Sequence, residues 1–170
     1  MGLSVVAFEV GPERYGLEAV RVVEVVPSVP LRAVPGTLSG VVGLLRFRGR
    51  LVPVVDLGVL WLGRPAPARM STRILVVELG ALGAGGGGES WADSASRGGP
   101  RLGLLAERVL RVARVDPDAP EAGFGPGTPG ARGLGRIVRE GEGLLQLVRP
   151  EDLVPAEVLA SLVREAEATS

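Results

Sequence analysis

The sequence predicts an all-β protein of barrel or sandwich type, and three observations carry that prediction. Short runs rich in Val, Leu and Ile recur along the 170 residues, Gly and Pro punctuate them, and helical periodicity is confined to the C-terminal tail. At 46% apolar residues, a chain of this length can build a core and is of single-domain size.

Each element follows in order. Val5-Val6-Ala7-Phe8-Glu9-Val10 reads as a strand, Gly11-Pro12-Glu13-Arg14 as a turn, and Tyr15-Gly16-Leu17 as the returning strand. From Glu18 to Val26 the apolar residues are too dense for their period to separate a strand from one helical turn, and both readings stand. Pro27, Pro30 and Pro35 make the chain up to Gly36 extended, because each fixes its own φ and biases its predecessor. Val41 to Phe47 and Arg50 to Asp56 form a hairpin across a tight Arg48-Gly49 turn. Pro53 lacks an N–H and is expected on an edge strand or at a bulge. Leu57 to Leu62 is a short helical turn ended by Gly63, and Thr72 to Leu79 a buried, continuously apolar strand.

Residues 80–100 are expected to be a flexible surface insertion. Gly, Ala and Ser bury too little apolar area to offset an ordering entropy of about 1–2 kcal/mol per residue. The glycines from Gly83 to Gly88 follow a strand, as in a dinucleotide site, but Glu89 to Gly99 lacks the helical period whose N-terminus would cradle phosphate. Leu102 to Val112 resumes β patterning toward Asp116-Pro117, and Pro117 to Gly130 is a turn-rich connection. Leu134 to Val138 and Leu144 to Val148 form a hairpin around Glu140-Gly141-Glu142-Gly143. Pro155 suits the first helical position, and Val158, Leu159, Leu162, Val163 and Ala166 share one face of a C-terminal amphipathic helix. No internal repeat of about 20–50 residues is evident.

Charge and absences narrow the function. Nineteen basic residues cancel nineteen acidic ones, so no bulk field steers the protein to nucleic acid or an anionic membrane. All the cations are Arg; there is no Lys, His or Cys. That excludes Ser-His-Asp and Cys-His relays, thiolate nucleophiles, His metal ligands, zinc ribbons, iron–sulfur clusters, Schiff bases and a Walker A lysine. A carboxylate-only hydrolase would require two convergent acids at a fixed separation, and no such pair stands out. The expectation is a non-enzyme without cofactor or metal. The N-terminus lacks a basic segment followed by a long apolar one, and Val6 stands where myristoylation favours Ser or Thr. No apolar run approaches the ~18 residues of a membrane span, so no direct membrane insertion and a cytoplasmic location are expected.

Three stretches, in order and spacing, resemble the CheW-like domain family, the adaptor module of bacterial chemosensory arrays. The first runs from Val6-Ala7-Phe8-Glu9-Val10 through Tyr15-Gly16-Leu17 to Val22-Val23-Glu24-Val25-Val26. The second joins Val34-Pro35-Gly36 and Val42-Gly43 to Arg48-Gly49 and Pro53-Val54-Val55-Asp56-Leu57, similar to the family's G-x-x-N-x-R-G turn and P-V-x-D-L. The third comprises Ile74-Leu75-Val76-Val77, Leu102 to Val109 and Gly143 to Leu147. The sequence departs from the pattern at Arg46, where Asn is usual, at Leu38 and Ala106, in Gln146 to Pro150, and by the insertion at 80–100.

The resemblance implies two small five-stranded, SH3-like barrels packed together within residues 1–154, followed by the helix and tail at 155–170. It implies an adaptor that couples the regulatory domain of a CheA-type histidine kinase to the cytoplasmic tip of a chemoreceptor, in a flagellar or another pathway. Receptor contacts are expected at Arg48, Glu24, Val22, Gly43, Arg46 and Gly49; the kinase-contact residues are unassigned.

Residue chemistry bears on these positions. Arg48 offers a planar fork of donors suited to carboxylate, and an R-G turn has no folding need for Arg because Gly49 supplies the unusual backbone angle. Glu24 is expected near Arg48; an exposed pair would contribute only ~0–1 kcal/mol and serve mainly to define a surface. Arg46, Arg48 and Arg50 alternate and are expected to share one hairpin face, either meeting a partner's acids or masking an edge. Val22 is equally readable as core, and Gly43 as a close-packing or bulge residue. Asp56 is expected to cap the turn at Leu57-Gly58. Trp61 reads as core or a subdomain seam, and Trp91 as incidental or a partner anchor. The rival reading, a generic SH3-like peptide-binding module, would need an aromatic groove, whereas the two Trp, one Tyr and three Phe are scattered.

Overall fold

The computed structural model describes residues 2–34, 40–79, 100–116, 118, 132–141 and 143–169. The expected loop at 80–100 apart from Pro100, Trp91, Pro35-Gly36, Leu38 and most of the 117–130 connection lie outside those residues.

Among the described residues ten strands form: β1 (Leu3–Val10), β2 (Glu13–Glu18), β3 (Val22–Pro27), β4 (Val41–Phe47), β5 (Arg50–Asp56), β6 (Arg73–Glu78), β7 (Arg101–Ala106), β8 (Arg108–Val115), β9 (Leu134–Glu140) and β10 (Gly143–Val148). Helix α1 (Leu57–Leu62) follows β5, and α2 (Ala156–Thr169) closes the chain. The ambiguous 18–26 stretch holds both structures it allowed, a 3₁₀ turn at Ala19–Arg21 and then β3. The patterned run after residue 101 is two strands rather than one, broken at Glu107.

These strands make two five-stranded sheets, in the orders β8-β1-β2-β10-β9 and β3-β6-β7-β5-β4. Their pairing patterns match: each contains one parallel pair, β2 with β10 and β5 with β7, and is otherwise antiparallel. The first sheet takes strands from both ends of the chain and encloses the sequence of the second. Both sheets curl: β8 meets β9 across the first, and Arg32, beyond β3, bridges Leu44 of β4 across the second.

Strand alternation explains why both sheet faces are apolar. On β1, Val5 and Ala7 point into the first barrel with Val138 and Leu145, while Val6, Phe8 and Val10 join the core between the barrels. On β6, Ile74 and Val76 fill the second barrel with Phe47 and Val54, while Leu75 and Val77 face the shared core. A strand buried on both faces reads as an unbroken apolar run, as 74–77 does.

Helix α2 belongs to that core. Leu159 and Leu162 join the shared cluster, and Ala166 packs on Leu44 and Leu51 of the β4–β5 hairpin. None of the described helices is long and apolar enough to cross a membrane.

Pro53 departs from expectation. Its strand, β5, is interior, between β7 and β4. The proline is tolerated because pairing with β7 begins only at Val54, opposite Gly103, leaving Pro53 without a ladder partner on that side.

Candidate functional site

The β4–β5 hairpin turns through two residues, both with positive φ: Arg48 at 47° and Gly49 at 77°. This is the type I′ pattern, whose twist suits a hairpin and which Asn-Gly or Gly-Gly fills without strain. Among the described residues Arg48 is the only non-glycine with positive φ. An arginine there costs roughly 1 kcal/mol of backbone strain, so folding alone does not select it. Nothing lies within 4 Å of where a Cβ on Gly49 would stand, so the second position is restricted by conformation rather than packing.

Glu24 reaches the turn from β3. A bulge between Val22 and Glu24 shifts the β3 register against β6, re-aiming the side chain, and Glu24 Oε2 lies 3.8 Å from Arg48 Nη2. The two side chains are 47% and 59% exposed, so the pair presents charge to solvent and adds little stability.

Beneath the pair lies Phe47, only 6% exposed and part of the second barrel's interior. Arg48 stands over its ring, 4.9 Å from the centroid, and Arg101 of β7 approaches the same ring at 5.6 Å. Arg101 is itself held by Glu78 of β6 at 3.5 Å. The Glu78 carbonyl accepts from Arg21 at 3.2 Å, and Arg21 grips the Glu151 carboxylate with bonds of 3.0 and 2.6 Å. Charged and aromatic groups thus run from the hairpin tip across the seam to the 3₁₀ turn Pro150–Asp152 after β10. Burial alone would raise the Glu151 pKa, but its hydrogen bonds from Arg21 and the backbone, with the charges of Arg21 and Arg149, outweigh burial and hold it below the ordinary 4.5.

The expected single face of Arg46, Arg48 and Arg50 does not form. Phe47 pairs with Arg50, and Arg46 with Leu51. Because the turn has two residues, cross-strand partners have opposite parity in the sequence, and paired side chains share a face. Arg50 therefore stands on the Phe47 side and Arg46 on the Leu51 side, toward α2, so the three cations do not form one stripe.

Val22 is half-buried against the shared core. Gly43 is buried, and a Cβ there would lie 2.7 Å from the Arg32 carbonyl oxygen and 2.8 Å from Leu31 Cβ. Gly43 thus lets the segment after β3 close over β4, with an adjacent bulge between Val41 and Gly43. Asp56 caps α1: its Oδ1 accepts from Gly58 N at 2.8 Å and Val59 N at 3.3 Å, and its Oδ2 accepts from Ala66 N at 3.0 Å. Gly63 ends the helix with φ of 70°.

Trp61 lies at the seam. Its ring centroid is 4.4 Å from that of Tyr15, which stacks on Phe8 at 5.8 Å, and its Nε1 donates to the Arg132 carbonyl at 2.9 Å. Burial, with the charge of Glu13, raises the Tyr15 pKa above 10.0. An open cavity of about 630 Å³ lies on the first barrel, where Arg14 and Arg111 converge on Glu140.

Sequence reading missed Phe47, Arg101, Glu78, Arg21 and Glu151. The Phe47–Arg48 neighbours are adjacent in the chain and gave a signal, but the rest are distant partners that no local pattern joins.

The architecture defines the class first: two curled five-stranded sheets of one pairing pattern share a core, and the second carries an exposed charged turn. The chain belongs to the CheW-like domain family, whose family model matches residues 4–158. It is similar in fold to the scaffolding protein TtCheW from Thermoanaerobacter tengcongensis, with a TM-score of 0.68 and 22% identity, covering 88% of this chain and 86% of that one.

Proposed function

We propose that the protein is a non-catalytic chemosensory adaptor, which holds the regulatory domain of a CheA-type histidine kinase beside the cytoplasmic tip of a methyl-accepting chemoreceptor. Residues 1–154 form the binding module, and α2 braces its hairpin. The receptor contact centres on Arg48 and Glu24, with Gly49 permitting the turn and Val22 at its margin. Gly43 supports the surface from beneath, and Arg46 flanks it on the α2 side.

The observation that carries this reading is the exposed Arg48–Glu24 pair, mounted on a turn whose backbone is strained by the arginine. A residue that costs folding energy and faces solvent is explained by a partner. An arginine and a glutamate side by side give an oriented charge pattern, which selects a partner and its register more than it adds affinity. Bridging raises the effective concentration of kinase near receptor, so receptor state biases kinase activity without chemistry by the adaptor.

The peptide-module alternative lacks its platform among the described residues. Phe8, Tyr15 and Phe47 are buried, and Trp61 packs on Tyr15 at the seam.

Reconstitution with kinase and receptor fragments tests the proposal. Arg48→Glu is expected to abolish most receptor-dependent kinase activation while kinase binding persists; full activation by the variant would reject the site.

A further inference from the structure

The exposed turn requires something to hold its arginine. Arg48 has a flexible side chain, 59% exposed, and its pair with Glu24 is loose at 3.8 Å. Its guanidinium stands 4.9 Å from the centroid of the Phe47 ring, which packs on one side among Leu45, Val52, Val54, Ile74 and Val76 and meets a second guanidinium as well. Arg101 lies there, with a side chain 18% exposed, anchored to Glu78 across the β6–β7 ladder, where the two residues pair directly. The buried Arg101 Nε has no hydrogen-bond partner among the described residues, so ring and Glu78 are its principal attractions.

We propose that Arg101 is a positioning residue for Arg48: the two guanidinium groups share the Phe47 ring, the less exposed Arg101 steadies it, and the ring so sets the direction in which Arg48 meets a partner. An aromatic face attracts a cation within about 6 Å, and the attraction strengthens as water is excluded. The less exposed Arg101 contact therefore adds to the apolar packing that holds the ring, and the ring limits the rotamers of Arg48. Fixing those rotamers before binding removes part of the entropy that association would otherwise lose. The binding consequence rests on the receptor role proposed above; the positioning itself does not.

The test separates these levels. In the free protein, side-chain ¹⁵Nε relaxation of Arg48 is expected to report greater mobility in Arg101→Met than in wild type, with Arg101→Lys recovering part of the order. Glu78→Gln, which releases Arg101 without removing it, is expected to act in the same direction and serves if Arg101→Met does not fold. Unchanged Arg48 order in a folded variant overturns the proposal. Titration with a soluble chemoreceptor hairpin-tip fragment is then expected to show about a fivefold loss of affinity for Arg101→Met in the wild-type background, and almost none in the Arg48→Ala background. Equal losses in both backgrounds assign Arg101 a general structural role and overturn the positioning role. If Arg48→Ala binds the fragment as wild type does, the receptor reading fails, while the relaxation result still decides the positioning.

Discussion

Replacing Asp56 with Ala removes a carboxylate that organises the chain beyond β5. Asp56 is 2% exposed, and its two oxygens accept from three backbone N–H groups, those of Gly58, Val59 and Ala66. Loss of an N-cap costs about 0.5–2 kcal/mol. The Ala66 bond is separate from the cap, tying the segment after α1 back to its start, and leaving that N–H unpaired costs about 1–3 kcal/mol. The sum for Asp56→Ala is about 1.5–5 kcal/mol. Since 1 kcal/mol shifts Tm by about 2–4 °C in a chain of this size, the expected decrease is on the order of 10 °C. Asp56→Asn retains one acceptor oxygen for Gly58 and Val59 and is expected to lose less. Urea unfolding of the three proteins supplies the free energies, and hydrogen exchange at Ala66 supplies the local readout. An Asp56→Ala loss below about 0.5 kcal/mol, or an Ala66 amide as protected as in wild type, would refute the assignment of Asp56 as a two-way tether.

Three further expectations follow from the site and the seam. Arg48→Asn relieves the positive-φ strain, so unfolding stability is expected to stay level or rise by up to about 1 kcal/mol while receptor-dependent kinase activation falls; a large loss of stability would show that the arginine serves folding. Glu151 has a folded pKa below its ordinary 4.5, so its ion pair contributes stability above that value and loses the contribution as pH falls through the folded pKa. Glu151→Gln should therefore be less stable than wild type at neutral pH, with the difference vanishing in acid; a difference independent of pH would contradict the pairing with Arg21. Tyr15 is the single tyrosine, so ultraviolet titration reads one phenol, expected to ionise above 10.0 when folded and near it in denaturant. Because that pKa is raised on folding, the associated stability is complete below the unfolded value and lost as pH rises through the folded one.

Much of the local structure was legible because its causes are short-range. Asp56 before Leu57 and Gly63 after Leu62 bracket a helix through the geometry of the helix ends, and the structure shows both caps. The Arg48-Gly49 turn followed from apolar strands on either side. The opposed faces of Arg46 and Arg50 were available from the same hairpin by counting across its two-residue turn, a signal that alternation along one strand conceals. Pro53 misled because an interior strand is not paired along its whole length.

The sequence by itself determined the strand-rich class, the caps, the hairpin and the apolar face of α2, since these depend on backbone preferences and on periods within a few residues. Only the tertiary structure decided that one barrel is assembled from both ends of the chain around the other, and that Arg101 and Arg48 meet one ring. It likewise placed Arg21 against Glu151, 130 residues away. The physical reason is reach: dihedral preferences and alternation act along the chain, whereas a guanidinium finds its ring or carboxylate only after sheet register and barrel closure have brought remote strands together.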